Sequence, residues 1–298
     1  MKIYYGITNN SIDVTDVCLA KLTNDNIITI PKGDHNRTNY FTDPLFGIHK
    51  KIIISINDNL SEYDEFTAVK INIINNTITA INHNDINEKL HNIHSKLNIK
   101  YGDFNAELPE QQMVVRYLTG NEKVLELGGN IGRNSLVIAS ILQNNTNLVT
   151  LECDPNIANQ LTENRDLNNF KFHIEPSALS HRRLIQKGWD TIPSDSLPEG
   201  YSVVNTITLQ NLKLKYNIEF DTLVLDCEGA FYYILISMPQ ILNNINLIIM
   251  ENDYWDITHK KYVDDILIKN KFKVDYVESG GWGPCYNNFF EVWKKMAF

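Results

Sequence analysis

No stretch of this sequence approaches the ~20 consecutive apolar residues that a membrane-spanning helix requires. Its first residues, Met1-Lys2-Ile3-Tyr4-Tyr5-Gly6, lack the apolar core of a secretory signal. A soluble protein of a reducing, cytoplasmic compartment is therefore expected. Cysteine is scarce, four in 298 residues (Cys18, Cys153, Cys227 and Cys285), and no CxxC or other metal-type spacing occurs. Cys153 and Cys227 each follow an apolar run, which predicts buried free thiols. Positive charge is in deficit: 27 Lys and Arg stand against 36 Asp and Glu, a net charge of −9. Nucleic-acid binding calls for a basic surface that displaces counterions, so the deficit counts against such a partner. Neutral or cationic substrates, sugars included, remain. With 43% hydrophobic and 21% charged residues, the chain is no disordered segment.

What is present changes character along the chain. Residues 1 to 82 hold short β-like runs such as "KIYYGI", "NIITIP", "KKIIISI" and "FTAVKINII", punctuated by Asn, Asp, Gly and Pro. A helix, "VTDVCLAKL", interrupts them, and residues 31 to 47 read as a polar, aromatic-rich loop. Residues 83 to 104 read as a helical linker, with Ile86, Leu90, Ile93 and Leu97 at helical spacing. From residue 105 to 298 a third segment begins, and after Lys123 strands alternate with helices. Near-continuous apolar strands separated by amphipathic helices predict a parallel sheet covered on both faces. The stretch 182 to 217 is too long for a simple connection, which predicts an arm over the site.

The chemistry-bearing residues fall at the strand ends. "VLELGGNIGRNSL" places a Gly-x-Asn-x-Gly turn, Gly128, Asn130 and Gly132, between a strand and a helix. Glycines permit the tight turn and a close ligand, and the helix start offers free N–H groups. A dinucleotide loop would need further glycines where Asn130 and Arg133 stand, so a nicotinamide cofactor is disfavoured. Glu152 ends the second strand about twenty residues on, where an acidic residue accepts ribose hydroxyls. Ser177 and Ala178 follow the third strand, on the side expected to face adenine. Asp226 and Glu228 leave the fourth strand and Glu251 the fifth, candidates for a general base or, less favoured, a divalent-metal site. His173 and His181 are weaker candidates for the base. No residue is assigned as a metal ligand.

These segments, with "LECDPNIANQLTENRDLNN", "NTITLQNL" and "FDTLVLDCEGAFYYIL", resemble the FkbM-type methyltransferases over about residues 105 to 295. That resemblance implies an α/β, Rossmann-like seven-stranded sheet of the class I methyltransferase kind, with an antiparallel final pair; the small β-rich N-terminal domain, residues 1 to 82, lies outside it. It implies S-adenosylmethionine (SAM) as cofactor and methyl transfer to oxygen, with a sugar or glycoconjugate as acceptor. By the resemblance Gly128, Asn130, Gly132 and Glu152 are SAM contacts, with Glu126 where the family usually has Asp, while Asp226 and Glu228 are active-site groups; the strand-end reading adds Ser177 and Ala178 as cofactor contacts and Glu251 as a catalytic candidate. Other readings are a protein or small-molecule methyltransferase, and an inactive SAM-fold protein that binds glycans.

Overall fold

Apolar and polar residues alternate along Thr67–Asn72, and Thr67, Val69 and Ile71 are buried as a strand of period two requires. The computed structural model describes the chain except residues 46, 47, 49, 58, 66, 189, 297 and 298, with only the backbone of 35, 82–85 and 190. Two units emerge, Met1–Glu88 and Lys89–Phe298.

The first unit contains strands β1 (Lys2–Ile7), β2 (Asn10–Asp13), β3 (Thr23–Asn24), β4 (Ile27–Ile30), β5 (Lys51–Ile56), β6 (Asn59–Tyr63), β7 (Thr67–Asn72) and β8 (Thr77–Asn82), with helices α1 (Thr15–Lys21) and α2 (Asp34–Phe41). They make two antiparallel four-stranded sheets, ordered β2-β1-β5-β6 and β3-β4-β7-β8. The β3–β4 turn is Asp25-Asn26, both with positive φ, the backbone that a two-residue hairpin favours. Ile3, Tyr5, Ile28, Ile30, Ile52, Ile54, Val69 and Ile71 share the core. The segment expected to be a loop, 31 to 47, instead carries α2; its Phe46 and Gly47 lie outside the described residues. Arg37 of α2 is fully buried and donates to the carbonyls of Pro31, Asp64 and Thr67, holding that segment against β7.

Helix α3 (His83–His94) carries the boundary between the units. The second unit continues with α4 (Leu108–Tyr117), β9 (Val124–Leu127), α5 (Arg133–Ile141), β10 (Leu148–Leu151), α6 (Pro155–Leu167), β11 (His173–Glu175) and β12 (Ala178–Leu179). Next come β13 (Leu184–Lys187), β14 (Asp190–Pro193), β15 (Ser202–Val204), β16 (Thr206–Ile207) and α7 (Leu209–Tyr216). The chain closes with β17 (Thr222–Leu225), α8 (Ala230–Ser237), β18 (Leu247–Glu251), α9 (Ile257–Lys269), β19 (Phe272–Glu278) and β20 (Phe290–Lys295). A seven-stranded sheet runs β11-β10-β9-β17-β18-β20-β19, parallel from β11 to β18, with β20 antiparallel to both its neighbours. By position along the chain the order is 3-2-1-4-5-7-6, that of the class I methyltransferase sheet. The expected Rossmann-like fold with a β-rich N-terminal segment is the observed one.

All four residues of β9, of β10 and of β17 are buried, because helices cover both faces of the sheet. Residues 184 to 204 form a separate three-stranded sheet, β14-β13-β15. Among the described residues no helix is long and apolar enough to cross a membrane, and the four cysteines are free.

Candidate active site

Where β9 ends, the backbone turns through three left-handed residues, Gly128 at φ 87°, Asn130 at φ 45° and Gly132 at φ 94°. Close packing demands this path: a Cβ on Gly128 would lie 1.5 Å from the carbonyl oxygen of Asp226, and one on Gly129 2.3 Å from Thr150 Oγ1. Asn130 N–H donates to Glu152 Oε2 at 2.9 Å, and Asp154 N–H donates to Glu152 Oε1 at 2.8 Å. The second-strand carboxylate is thus fixed by the glycine turn on one side and by the start of α6 on the other.

These elements open onto one cavity of about 530 Å³ within the second unit, a size that suits a nucleoside-sized ligand. Gly128, Asn130, Glu152, Ser177 and Ala178 line it together with Asp226, Glu228 and Glu251, so eight of the ten expected site residues meet there. Glu126 and Gly132 do not line it. Glu126, 2% exposed, faces the interior and accepts from Ser135 Oγ of α5; burial pushes its carboxyl up to about 7. Gly132 caps α5, where a Cβ would meet Leu161 Cδ1 at 2.9 Å. The histidines stand aside as well: His173 packs against Tyr216 with the rings tilted and their centroids 4.7 Å apart, and neither it nor His181 is in the cavity wall.

Sheet order divides the cavity. β10 and β11 lie to one side of β9 and carry Glu152, Ser177 and Ala178; β17 and β18 lie to the other and carry Asp226, Glu228 and Glu251. Glu228 itself is left-handed, at φ 51°, followed by Gly229 at φ 73°. Strained backbone of this kind gathers at functional sites. Asp253 Oδ1 accepts from Gly229 N–H at 2.7 Å and fastens this turn to the end of β18.

Two residues of the wall carried no mark in the sequence. Glu107, at the N-cap of α4, accepts from Asn130 Nδ2 at 3.1 Å and from Arg133 Nη1 at 2.7 Å. Glu110, in the first turn of α4, is 7% exposed. Glu110 precedes Met113 and Val114 by three and four residues, so helical geometry puts it on their buried face; that spacing was the available signal. The carboxylate oxygens of Glu110, Asp226 and Glu251 lie within 4.8 Å of one another. Burial, then Asp226 and Glu110, push Glu251 up to about 11. Burial and the surrounding carboxyl groups of Glu107, Glu110 and Asp253 also raise Asp226 well above the usual range. Such a cluster holds a proton at neutral pH and can exchange it with a ligand. The three oxygens could also hold a hard divalent cation.

No protein-family model and no curated protein matches the sequence. Among solved structures the chain is similar to an O-methyltransferase from Bacillus cereus in complex with SAH, at 16% identity over 71% of this chain and 91% of that one, TM-score 0.41. It is similar to a ribosomal protein L11 methylase from Lactobacillus delbrueckii subsp. bulgaricus, at 11% identity over 66% and 82%, TM-score 0.41. A third is an rRNA methylase from Streptococcus thermophilus, at 9% identity over 63% and 94%, TM-score 0.40.

Two expectations are corrected here. The resemblance to FkbM-type methyltransferases is withdrawn, because no family model matches the sequence. Its motifs are ones the sheet itself requires, since Gly128 is fixed by Asp226 and the Asp-x-Glu-Gly segment is a left-handed turn. The exclusion of nucleic acid as a partner is withdrawn too, because it rested on the net charge alone. A net charge averages over the whole surface and says nothing of one face.

Proposed function

We propose that Lys89–Phe298 is a SAM-dependent methyltransferase domain. One observation carries the reading: in a sheet ordered 3-2-1-4-5-7-6, the glycine turn, the second-strand carboxylate and a cluster of acidic strand ends line a single cavity. Open α/β sheets bind ligands at the carboxyl ends of their strands. The donors present fit the cofactor. Both oxygens of Glu152 are oriented by backbone N–H groups, and each keeps a further lone pair for a ribose hydroxyl. Ser177 and Ala178 would flank adenine, and the bare backbone of Gly128 and the Asn130 turn would lie against the rest of the ligand. When bound, SAM supplies an electrophilic methyl group.

The chain's own residues then bind, orient and take a proton. Asp226, Glu228 and Glu251 are the groups in reach of an acceptor at the β17 and β18 end, and a carboxylate there serves as general base. Residues 184 to 204 help to exclude water: Leu184, Gln186, Thr191 and Pro193 form part of the wall. Glu126 and Gly132 support the site from outside, by tying β9 to α5 and by starting α5. Residues 1 to 82 would be an accessory domain, joined by 83 to 104. A sugar hydroxyl as acceptor rested on the resemblance now withdrawn, and no feature of the cavity favours it.

The reading is tested at Glu152. Loss of two charge-assisted hydrogen bonds to ribose should weaken SAM binding in Glu152→Ala by about 2–4 kcal/mol in a calorimetric titration. Wild-type affinity in that variant would remove the ribose contact from the account.

A further inference from the structure

Among the described residues six carboxylic side chains line the cavity, Glu107, Glu110, Glu152, Asp226, Glu228 and Glu251, against a single cationic one, Arg182. Two of the six are accounted for. Glu107 pairs with Arg133 at 2.7 Å, and Glu152 accepts two backbone N–H groups. The remaining four lie at the β17, β18 and α4 end, and none has an ion-pair partner among the described residues. Glu228 is exposed, but Glu110, Asp226 and Glu251 are withdrawn from water wholly or in part, where an unpaired carboxylate is costly unless it takes up a proton or a partner arrives. Glu110 makes the point independently of the cluster: it lines the cavity, is 7% exposed, and its Oε2 has no hydrogen-bond partner.

The rest of that end is mostly apolar, Pro109, Cys227, Ala230, Ile234 and Phe290, with the Tyr233 ring and the Ser237 hydroxyl beside them. A hard metal ion takes oxygen ligands, water included, over its whole coordination sphere. Oxygens on one side and apolar walls on the other suit an ammonium group carried on an alkyl or aryl stem instead. From this arrangement we infer that the acidic end of the cavity binds a protonated amine, and that this amine is the methyl acceptor. The inference rests on the methyltransferase reading of the domain and narrows it to nitrogen. A neutral hydroxyl would leave the cluster holding its own proton, whereas an ammonium donates to the carboxylates directly and leaves one free to take the amine's proton. The balance is simple: one N–H proton passes to a carboxylate oxygen and frees the nitrogen lone pair. That pair forms the new N–CH₃ bond while the methyl's bond to sulfur breaks and its electrons stay on sulfur.

The full-length protein is titrated calorimetrically with n-hexylamine, 1-hexanol and MnCl₂, each with and without saturating S-adenosylhomocysteine. Hexylamine should bind at least about tenfold tighter than hexanol, with S-adenosylhomocysteine present as well as absent. Glu110→Gln, with its S-adenosylhomocysteine affinity as the check on folding, should lose most of that preference. Labelled SAM should convert hexylamine to its N-methyl derivative and leave hexanol unchanged. Equal affinity for amine and alcohol overturns the inference. So does displacement of hexylamine by S-adenosylhomocysteine, which would assign the acidic groups to the cofactor's own ammonium. Mn²⁺ binding that expels hexylamine overturns it in favour of a metal. Binding of S-adenosylhomocysteine separates the two failures: where it persists, only the acceptor class falls; where it is absent, the methyltransferase reading falls as well.

Discussion

A glycine's role depends on what its missing side chain would strike. By sequence logic a side chain at Gly128 intrudes on the ligand, yet in the structure it strikes the protein's own Asp226 carbonyl, 1.5 Å away. Gly128→Ala should therefore destabilise the fold by more than about 3 kcal/mol, combining a backbone clash with a left-handed conformation. Gly188 is the control. Its φ is +60° and nothing lies within 4 Å of the added Cβ, so Gly188→Ala should cost only about 1 kcal/mol. Urea denaturation of the two variants decides the matter, and similar costs would refute the packing argument. Glu152 and Asp226 were legible in the sequence because strand ends are marked by the loss of apolar residues. Glu110 was marked only by its spacing to Met113 and Val114; that this face packs against β18 beside the acidic strand ends is a long-range contact that no local pattern encodes.

Elements were read most securely where burial was two-sided. β9, β10, β17 and β18 appear as apolar runs because helices cover both faces, and such runs stand out in any sequence. α2 escaped notice because its residues, "DHNRTNYF", are polar and its anchor is a buried arginine rather than an apolar stripe. The arm of residues 184 to 204 was visible only as excess length. Its strands pair with one another, and its buried Leu184, Ile185 and Val204 stand apart from the main core. Replacing residues 184 to 204 with a short Gly-Ser linker should leave the cooperativity of unfolding intact. SAM affinity should fall about tenfold, roughly 1.4 kcal/mol, as Leu184, Gln186, Thr191 and Pro193 leave the wall. Unchanged affinity would show that the arm does not serve the cofactor.

At the scale of the whole molecule, buried acids set the response to pH. Glu126 is raised by burial from 4.5 to about 7, and Asp253 from 3.8 to about 7. Each folded-state pKa exceeds its unfolded value, so the folded chain holds more protons between the two. Stability is then greatest below the unfolded values, falls as pH climbs through about 7, and levels off above it. Glu126 alone should account for about 3 kcal/mol. Ligand-free protein should resist urea better at pH 5 than at pH 8, and Glu126→Gln should narrow that gap; greater stability at pH 8 would contradict the assigned burial. The parallel, two-sided sheet was legible from the alternation of strands and helices, whereas the choice among families was not, because the glycine turn and the left-handed Glu228-Gly229 turn answer to the geometry of the sheet. The central claim concerns the ligand of that sheet. Calorimetric titration of the wild-type protein with S-adenosylhomocysteine and, separately, with NAD⁺ tests it most directly. Saturable one-to-one binding of S-adenosylhomocysteine, with none of NAD⁺, is predicted; binding of NAD⁺ alone, or of neither, would contradict it.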